Sequence, residues 1–213
     1  MGAIDTPADR PGPLRVAVAG ALGYACGLLP SASLASRAAT GGRVDLRQSG
    51  SGNPGATNAA AQLGTGWGLA VLGGDLLKGV VAGLSGLRLA GPAGGYAAGV
   101  GSMAGHIFPA TTGFRGGKGV ATSAGASLVL FPAYFPLDAA VAALSAARTA
   151  NADRAIVVSC TVWTAAAVLW WRARLPNAWG PAPTVGLPVF AGVGAGLMLT
   201  KLELNRRQAA ARG

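Results

Sequence analysis

The chain returns again and again to apolar stretches of the length needed to cross a bilayer. A spanning helix takes about 20 predominantly apolar residues. Such stretches run from Leu14 to Ser36, Trp67 to Leu87, Pro92 to Phe108, Ala155 to Trp171 and Val185 to Leu204. Another, Val120 to Ala147, reads apolar over 28 residues and contains Pro132 and Pro136. Proline breaks a helix interior, so this stretch is predicted to form two short helices joined near Phe131 to Pro136. The expected fold is all-α: a polytopic integral membrane bundle of about seven transmembrane helices. One membrane-embedded domain is expected over residues 1–213, with residues 1–13 as a short polar N-terminal segment.

Composition narrows the class further. Of 213 residues, 51% are hydrophobic and only 11% charged, against about 25% charged in a soluble domain. Lys and Arg total 17 against 7 Asp and Glu, a formal charge of +10. A disordered chain would be less apolar, and a nucleic-acid binder would need a polar basic surface that this chain lacks. No nucleic-acid partner is expected. Cys26 and Cys160 are too few for a disulfide scaffold and lie in apolar stretches, where they read as small packing residues. The 35 glycines and 13 prolines fit helices that approach one another closely within a membrane. Asp5, Asp9, Arg10 and three prolines precede the first apolar run, so no cleavable signal peptide is expected.

The charges are unevenly placed. Arg37, Arg43, Arg47, Arg115, Lys118, Arg148, Arg154, Lys201, Arg206, Arg207 and Arg212 fall on one side of the predicted bundle, eleven in all. Arg10, Arg15, Arg88, Arg172 and Arg174 fall on the other, and Lys78 lies within the second span. The positive-inside rule then puts the N-terminus outside and the C-terminus in the cytoplasm. Trp163, Trp170, Trp171 and Trp179 cluster about the outer end of the sixth helix, where interfacial anchors are expected. Asp75 and Lys78, three apart, share a helix face. They form either a local ion pair that neutralises two charges or a polar element beneath an active site.

Two loops on the cytoplasmic side hold the residues suited to chemistry. The first runs Val44-Asp45-Leu46-Arg47 to Gly50-Ser51-Gly52-Asn53-Pro54-Gly55-Ala56-Thr57-Asn58. Its glycines allow close backbone approach, and a nest of N–H groups over Ser51 to Asn58 suits a phosphate. The second runs Gly105-His106-Ile107-Phe108-Pro109, then Phe114-Arg115-Gly116-Gly117-Lys118-Gly119-Val120-Ala121-Thr122, straight into an apolar helix. A Gly-rich turn with a Lys at a helix start suits an anion. It is not a Walker A loop, since Gly119 stands where Ser or Thr is required. There is no G-x-S-x-G elbow. Thr111 stands where a His-x4-Asp acyltransferase needs its Asp, and one His with two apolar Cys argues against a zinc site. No metal and no cofactor is expected.

These loops, with Asp75-Leu76-Leu77-Lys78-Gly79 between them, resemble the bacterial acyl-phosphate:glycerol-3-phosphate acyltransferases, the PlsY family. The resemblance is strong over roughly residues 40–125. It implies seven spans with an external N-terminus in the bacterial cytoplasmic membrane. It also implies acyl transfer from acyl phosphate to the 1-hydroxyl of glycerol 3-phosphate, giving lysophosphatidic acid and phosphate on the cytoplasmic face. The partners expected are acyl phosphate, glycerol 3-phosphate and membrane lipid. His106, Ser51 and Lys118 are the catalytic candidates. Arg47, Gly52, Asn53, Gly55, Thr57, Asn58, Arg115, Gly116, Gly117, Gly119, Asn151 and Asn205 are the substrate-binding candidates.

In this assignment the Ser51–Asn58 nest takes the acyl-phosphate phosphate, and Lys118 with Arg115 and its glycines takes that of glycerol 3-phosphate. Arg47 clamps either group, with Asp45 orienting it. The proton acceptor is His106 or the departing phosphate. The chain departs from the family pattern at Ala61, where an Arg is usual, and at Thr200 and Glu203, where a His and an Asn are usual. Asn151 stands in for the serines of the loop before the sixth helix. These departures keep a second reading open: a paralogue that binds an anionic phosphoester or lipid, or acylates another polyol phosphate.

Overall fold

The computed structural model describes residues 11–149 and 151–211, and every regular element among them is a helix. Residues 1–10, most of the polar N-terminal segment, and Arg212 lie outside them. The helices are α1 (Pro13–Gly27), α2 (Ser31–Thr40), α3 (Ala56–Leu63), α4 (Thr65–Ile107), α5 (Val120–Leu130), α6 (Phe135–Thr149), α7 (Ala152–Ala173) and α8 (Gly186–Ala210). Four helical stretches among the described residues are long and apolar enough to cross a membrane: Pro13–Thr40, Thr65–Thr112, Ala152–Ala173 and Gly186–Ala210.

Proline and glycine divide the apolar stretches. The first, expected as one span, is two helices. Pro30 has no N–H to continue the α1 ladder and opens α2 instead. The second and third are limbs of one long helix, α4. It folds back at Ala90 and at Gly91, whose φ of 55° suits glycine, just before Pro92. Gly86 and Gly94 face each other across this hairpin, where a methyl group on either would strike the other's carbonyl oxygen. The stretch from Val120 does split in two, at Phe131–Tyr134.

Two glycine seams set the rest. Gly23, Gly27, Gly101 and Gly105 bring α1 against the second limb of α4 so closely that a side chain would collide with the facing backbone at Ala98, Ser102, Gly20 and Tyr24. Gly79 and Gly125 do the same for the first limb of α4 and α5, meeting Thr122 and Leu76. In the first seam Gly23 meets Ala98 and Gly27 meets Ser102, and in the second Gly79 meets the turn from Thr122 to Ala126 while Gly83 meets Val129, so the paired helices run parallel. The first loop, the His106–Val120 loop, the start of α7 and the end of α8 therefore gather at one end of the bundle.

The largest core cluster joins α4, α5, α7 and α8 through Met103, Ile107, Leu130, Phe131, Trp163 and Phe190. Trp163 is a correction to the expected interfacial cluster. It is only 4% exposed, with its ring 5.2 Å from Phe190 in an edge-on contact. Trp179, by contrast, is exposed, and its indole N–H donates to the Leu128 carbonyl at 2.9 Å. Cys160 is buried and Cys26 partly so, and both are free thiols.

Gly105→Ala presses a methyl group onto the Tyr24 carbonyl and is expected to lower stability by about 1–3 kcal/mol, the usual cost of overpacking. Gly192→Ala meets nothing within 4 Å and is expected to leave stability unchanged or slightly raised. Thermal unfolding in detergent, followed by circular dichroism, separates the two.

Candidate active site

The first loop is organised by Asn58 at the start of α3. This residue is 5% exposed. Its amide donates to the carbonyls of Leu46 (2.9 Å) and Ser49 (3.0 Å), and its Oδ1 accepts from Ser51 N–H (3.1 Å). Gly50, at φ 59°, passes so close to Asn58 Oδ1 that no side chain fits. Asn58 thus supports the loop from beneath.

The expected nest is altered for the same reason. Ser51 N–H is held by Asn58, Gly52 N–H by the Ser49 carbonyl, Asn53 N–H by Ser51 Oγ and Gly55 N–H by the Asn53 carbonyl. These donors point into the loop. The N–H groups left to a ligand are those of the first turn of α3, after Gly55, where Ala56 and exposed Thr57 stand.

Arg47 fastens this loop to its neighbours. Its Nε donates to the Arg115 carbonyl at 2.9 Å and its Nη1 to Ser33 Oγ at 2.9 Å. Asp45 does orient it, accepting from Arg47 N–H at 2.9 Å with the guanidinium 3.9 Å away.

The second loop is clamped at both ends. The Tyr24 hydroxyl donates to the Phe108 carbonyl and accepts from Ala110 N–H. Gly116 N–H donates to the Ile107 carbonyl, and Gly116 lies so close to the His106 carbonyl that any side chain would collide. Gly117 lies directly over His106 Nε2, and Gly119, at φ 86°, opens α5.

His106 is buried and belongs to a charged cluster. Lys78 Nζ lies 2.7 Å from the Leu29 carbonyl, 2.9 Å from Asp75 Oδ1 and 3.2 Å from His106 Nδ1, while Asp75 Oδ1 is 3.6 Å from His106 Nδ1. Asp75 and Lys78 form the expected ion pair, and the pair also lies beneath the loops. An ammonium only donates. His106 Nδ1 therefore accepts from it, and the imidazole proton sits on Nε2, facing Gly117. A cavity of about 20 Å³ lies here, lined by Arg47, Asp75, Lys78, His106, Gly116 and Gly117. It has room for about one water molecule.

Other expected site residues already have protein partners. Lys118 Nζ is 2.6 Å from Asp153 Oδ1. Asn151 caps α7, its side chain accepting from Asp153 N–H and Arg154 N–H at 2.9 and 3.1 Å. Arg115 is exposed, and Asn205 is half-buried near the end of α8. Thr200 and Glu203 face outward, and Glu203 pairs with Arg207 at 2.7 Å. Between them Lys201 faces inward. The sequence reading missed Lys201, Asp153 and the role of Asn58. Only the spacing from Met198 to Lys201, which puts both on one helix face, could have pointed to Lys201. Among the described residues no three His, Cys, Asp or Glu side chains cluster as a metal site would require.

Fold and site together define an all-helical integral membrane protein whose cationic, glycine-rich loops meet at one end of the bundle. The model of the glycerol-3-phosphate acyltransferase family matches residues 17–210, and the chain belongs to that family. A glycerol-3-phosphate acyltransferase of Nitrobacter winogradskyi is 46% identical over 114 residues, 54% of this chain but only 57% of that protein's length. One of Methylorubrum extorquens is 38% identical over 174 residues, covering 73% of this chain and 84% of the relative. The crystal structure of PlsY, an integral membrane glycerol 3-phosphate acyltransferase in its glycerol 3-phosphate form, superposes with a TM-score of 0.71. It covers 92% of each chain at 27% identity.

Asn58→Ala removes three hydrogen bonds worth about 1 kcal/mol each. It is expected to destabilise the protein by about 2–3 kcal/mol and to speed amide exchange over residues 46–55 relative to α5, read by hydrogen-exchange mass spectrometry.

Proposed function

We propose that this protein transfers an acyl chain from acyl phosphate to the 1-hydroxyl of glycerol 3-phosphate, yielding lysophosphatidic acid and inorganic phosphate. The observation that carries the reading is the junction of the two glycine-rich loops, where Arg47 is bound to the Arg115 carbonyl three residues before Lys118. The reaction brings two phosphorylated anions together, and this junction concentrates cations and backbone donors at one place.

Acyl phosphate is already activated, so positioning and charge neutralisation supply most of the acceleration. The hydroxyl oxygen forms a bond to the acyl carbonyl carbon. The bond from that carbon to the phosphate oxygen breaks, and phosphate leaves with the electron pair. The Lys78 contact leaves the His106 proton on Nε2, so this imidazole meets the loop as a donor. In this reading the departing phosphate takes the hydroxyl proton, and His106 holds Gly117 in place. Lys118 binds the glycerol 3-phosphate phosphate by exchanging its Asp153 partner for it. The first turn of α3 and Ser51 serve the acyl donor, and Arg47 clamps either phosphate.

The same reading makes residues 1–213 one domain with seven spans. The two α4 limbs, α5 and α6 count separately, and the N-terminus lies outside. The gathered loops and their eleven positive residues then face the bacterial cytoplasm. A second reading has one observation in its favour: Thr200 and Glu203 face away from the site, and Ala61 offers no charge. In that case the chain binds a phosphoester or anionic lipid, or acylates another polyol phosphate.

Purified protein given acyl phosphate and glycerol 3-phosphate is expected to release lysophosphatidic acid and phosphate in equal amounts, with no product from acyl-CoA. Binding of both ligands without product would establish the second reading. Lys118→Ala is expected to raise KM for glycerol 3-phosphate about tenfold or more, the loss of one charge-assisted contact. KM for acyl phosphate should change little. Unchanged affinity for glycerol 3-phosphate would remove the Lys118 assignment.

A further inference from the structure

Lys201 is a buried cation without an anion. It is 9% exposed. It sits one turn past Met198, whose sulfur receives the Ser123 hydroxyl at 3.8 Å and which packs near Gly119. The spacing of three places Lys201 on the same face of α8, toward the second loop.

The described carboxylates are engaged elsewhere. Asp75 is bound to Lys78, Asp153 to Lys118, Asp45 to Arg47 and Gln48, and Glu203 to Arg207 on the outer face. Asp138 stands in the first turn of α6, within electrostatic reach of Tyr134 and Cys160, toward the other end of the bundle. Among the described residues the Lys201 ammonium has no hydrogen-bond partner. The charges it does meet are of its own sign: Arg47 repels it, and its own charge is felt at His106.

A buried charge is normally paired, because taking it out of water unpaired is expensive. Bringing a second cation close adds repulsion. A lysine reaching for a lipid headgroup would run along the outside of the bundle with its head in the interface, whereas Lys201 is enclosed. Arg47, for its part, uses Nε and Nη1 on Arg115 and Ser33, and its Nη2 has no partner among the described residues. Both cations thus face the second loop, Arg47 with an open guanidinium edge at the Arg115 carbonyl and Lys201 with an open ammonium one turn past the Met198 contact with Gly119.

We propose that Lys201 and the open edge of Arg47 form a phosphate-binding site that receives the phosphate group of one of the two substrates. Phosphate offers two negative charges and several acceptor oxygens, which match an ammonium and a guanidinium facing one loop. Lys201 thereby supplies the inward-facing polar group of α8 that Thr200 and Glu203, turned outward, do not. The phosphate chemistry stands on the burial of Lys201 and on the place of both cations against the second loop. Its assignment to a particular substrate rests on the acyl-transfer reading.

The test uses the full chain in detergent, with inorganic phosphate as the probe in calorimetric titration. Lys201→Met and Lys201→Gln are expected to weaken phosphate binding by about tenfold or more. Lys201→Arg should retain it within about threefold. Melting temperatures of the neutral variants should equal or exceed that of the parent, because an unpaired buried charge has been removed. Unchanged phosphate affinity in both folded neutral variants overturns the proposal.

In the acyl-transfer assay, a KM increase confined to acyl phosphate assigns the site to the donor, and one confined to glycerol 3-phosphate assigns it to the acceptor. If the parent protein makes no lysophosphatidic acid yet binds phosphate in a Lys201-dependent way, the site stands and the acyl-transfer reading falls.

Discussion

Contact between helix backbones, with no side chain between them, is the constraint on which the rest of the structure depends. In a bilayer, helices gain little from burying apolar surface against one another, and close van der Waals packing takes over. Gly23, Gly27, Gly101 and Gly105 let α1 lie directly on α4, and Gly79 with Gly125 lets α4 lie on α5. The parallel registers of these seams bring the end of α1, the end of α4 and the beginning of α5 to one level. The loops at that level can therefore be short and still meet.

The charged cluster fastens what the seams bring together. Lys78 reaches the Leu29 carbonyl at the α1–α2 elbow, Asp75 on its own limb and His106 on the other. His106 in turn underlies Gly117. The elbow, both limbs of α4 and the second loop are thus joined through one ammonium group. Arg47 completes the frame from above by holding Arg115 and Ser33.

Much of this was legible in the chain itself. Apolar length, with proline and glycine as breaks, locates every long helix, and the order of residues in the two loops points to the family. What was not legible involved direction. Trp163 and Trp179 look alike in sequence, but one packs on Phe190 from the buried face of α7 and the other is exposed in the turn that follows that helix. The loop glycines suggested a nest of free donors, yet a single side chain, Asn58, turns Ser51 N–H inward. Asn151 reads as a ligand-binding residue, and the structure makes it the cap of α7. In the sequence Lys201 is only one more positive residue on the basic side. Its burial depends on how α8 rotates against α4 and α5, which the local sequence does not specify.

The placement of Asp75 and Lys78 on one turn has a consequence for biogenesis. Charged residues at the centre of a nascent span each oppose its entry into the bilayer by about 2.5–3.5 kcal/mol. A partner on another helix cannot relieve that penalty until both helices are in place. At a spacing of three, the two charges can pair within the helix that carries them, before any tertiary contact exists. The segment then leaves the translocon as an electrically neutral rod, already holding the ammonium group that will later organise the site.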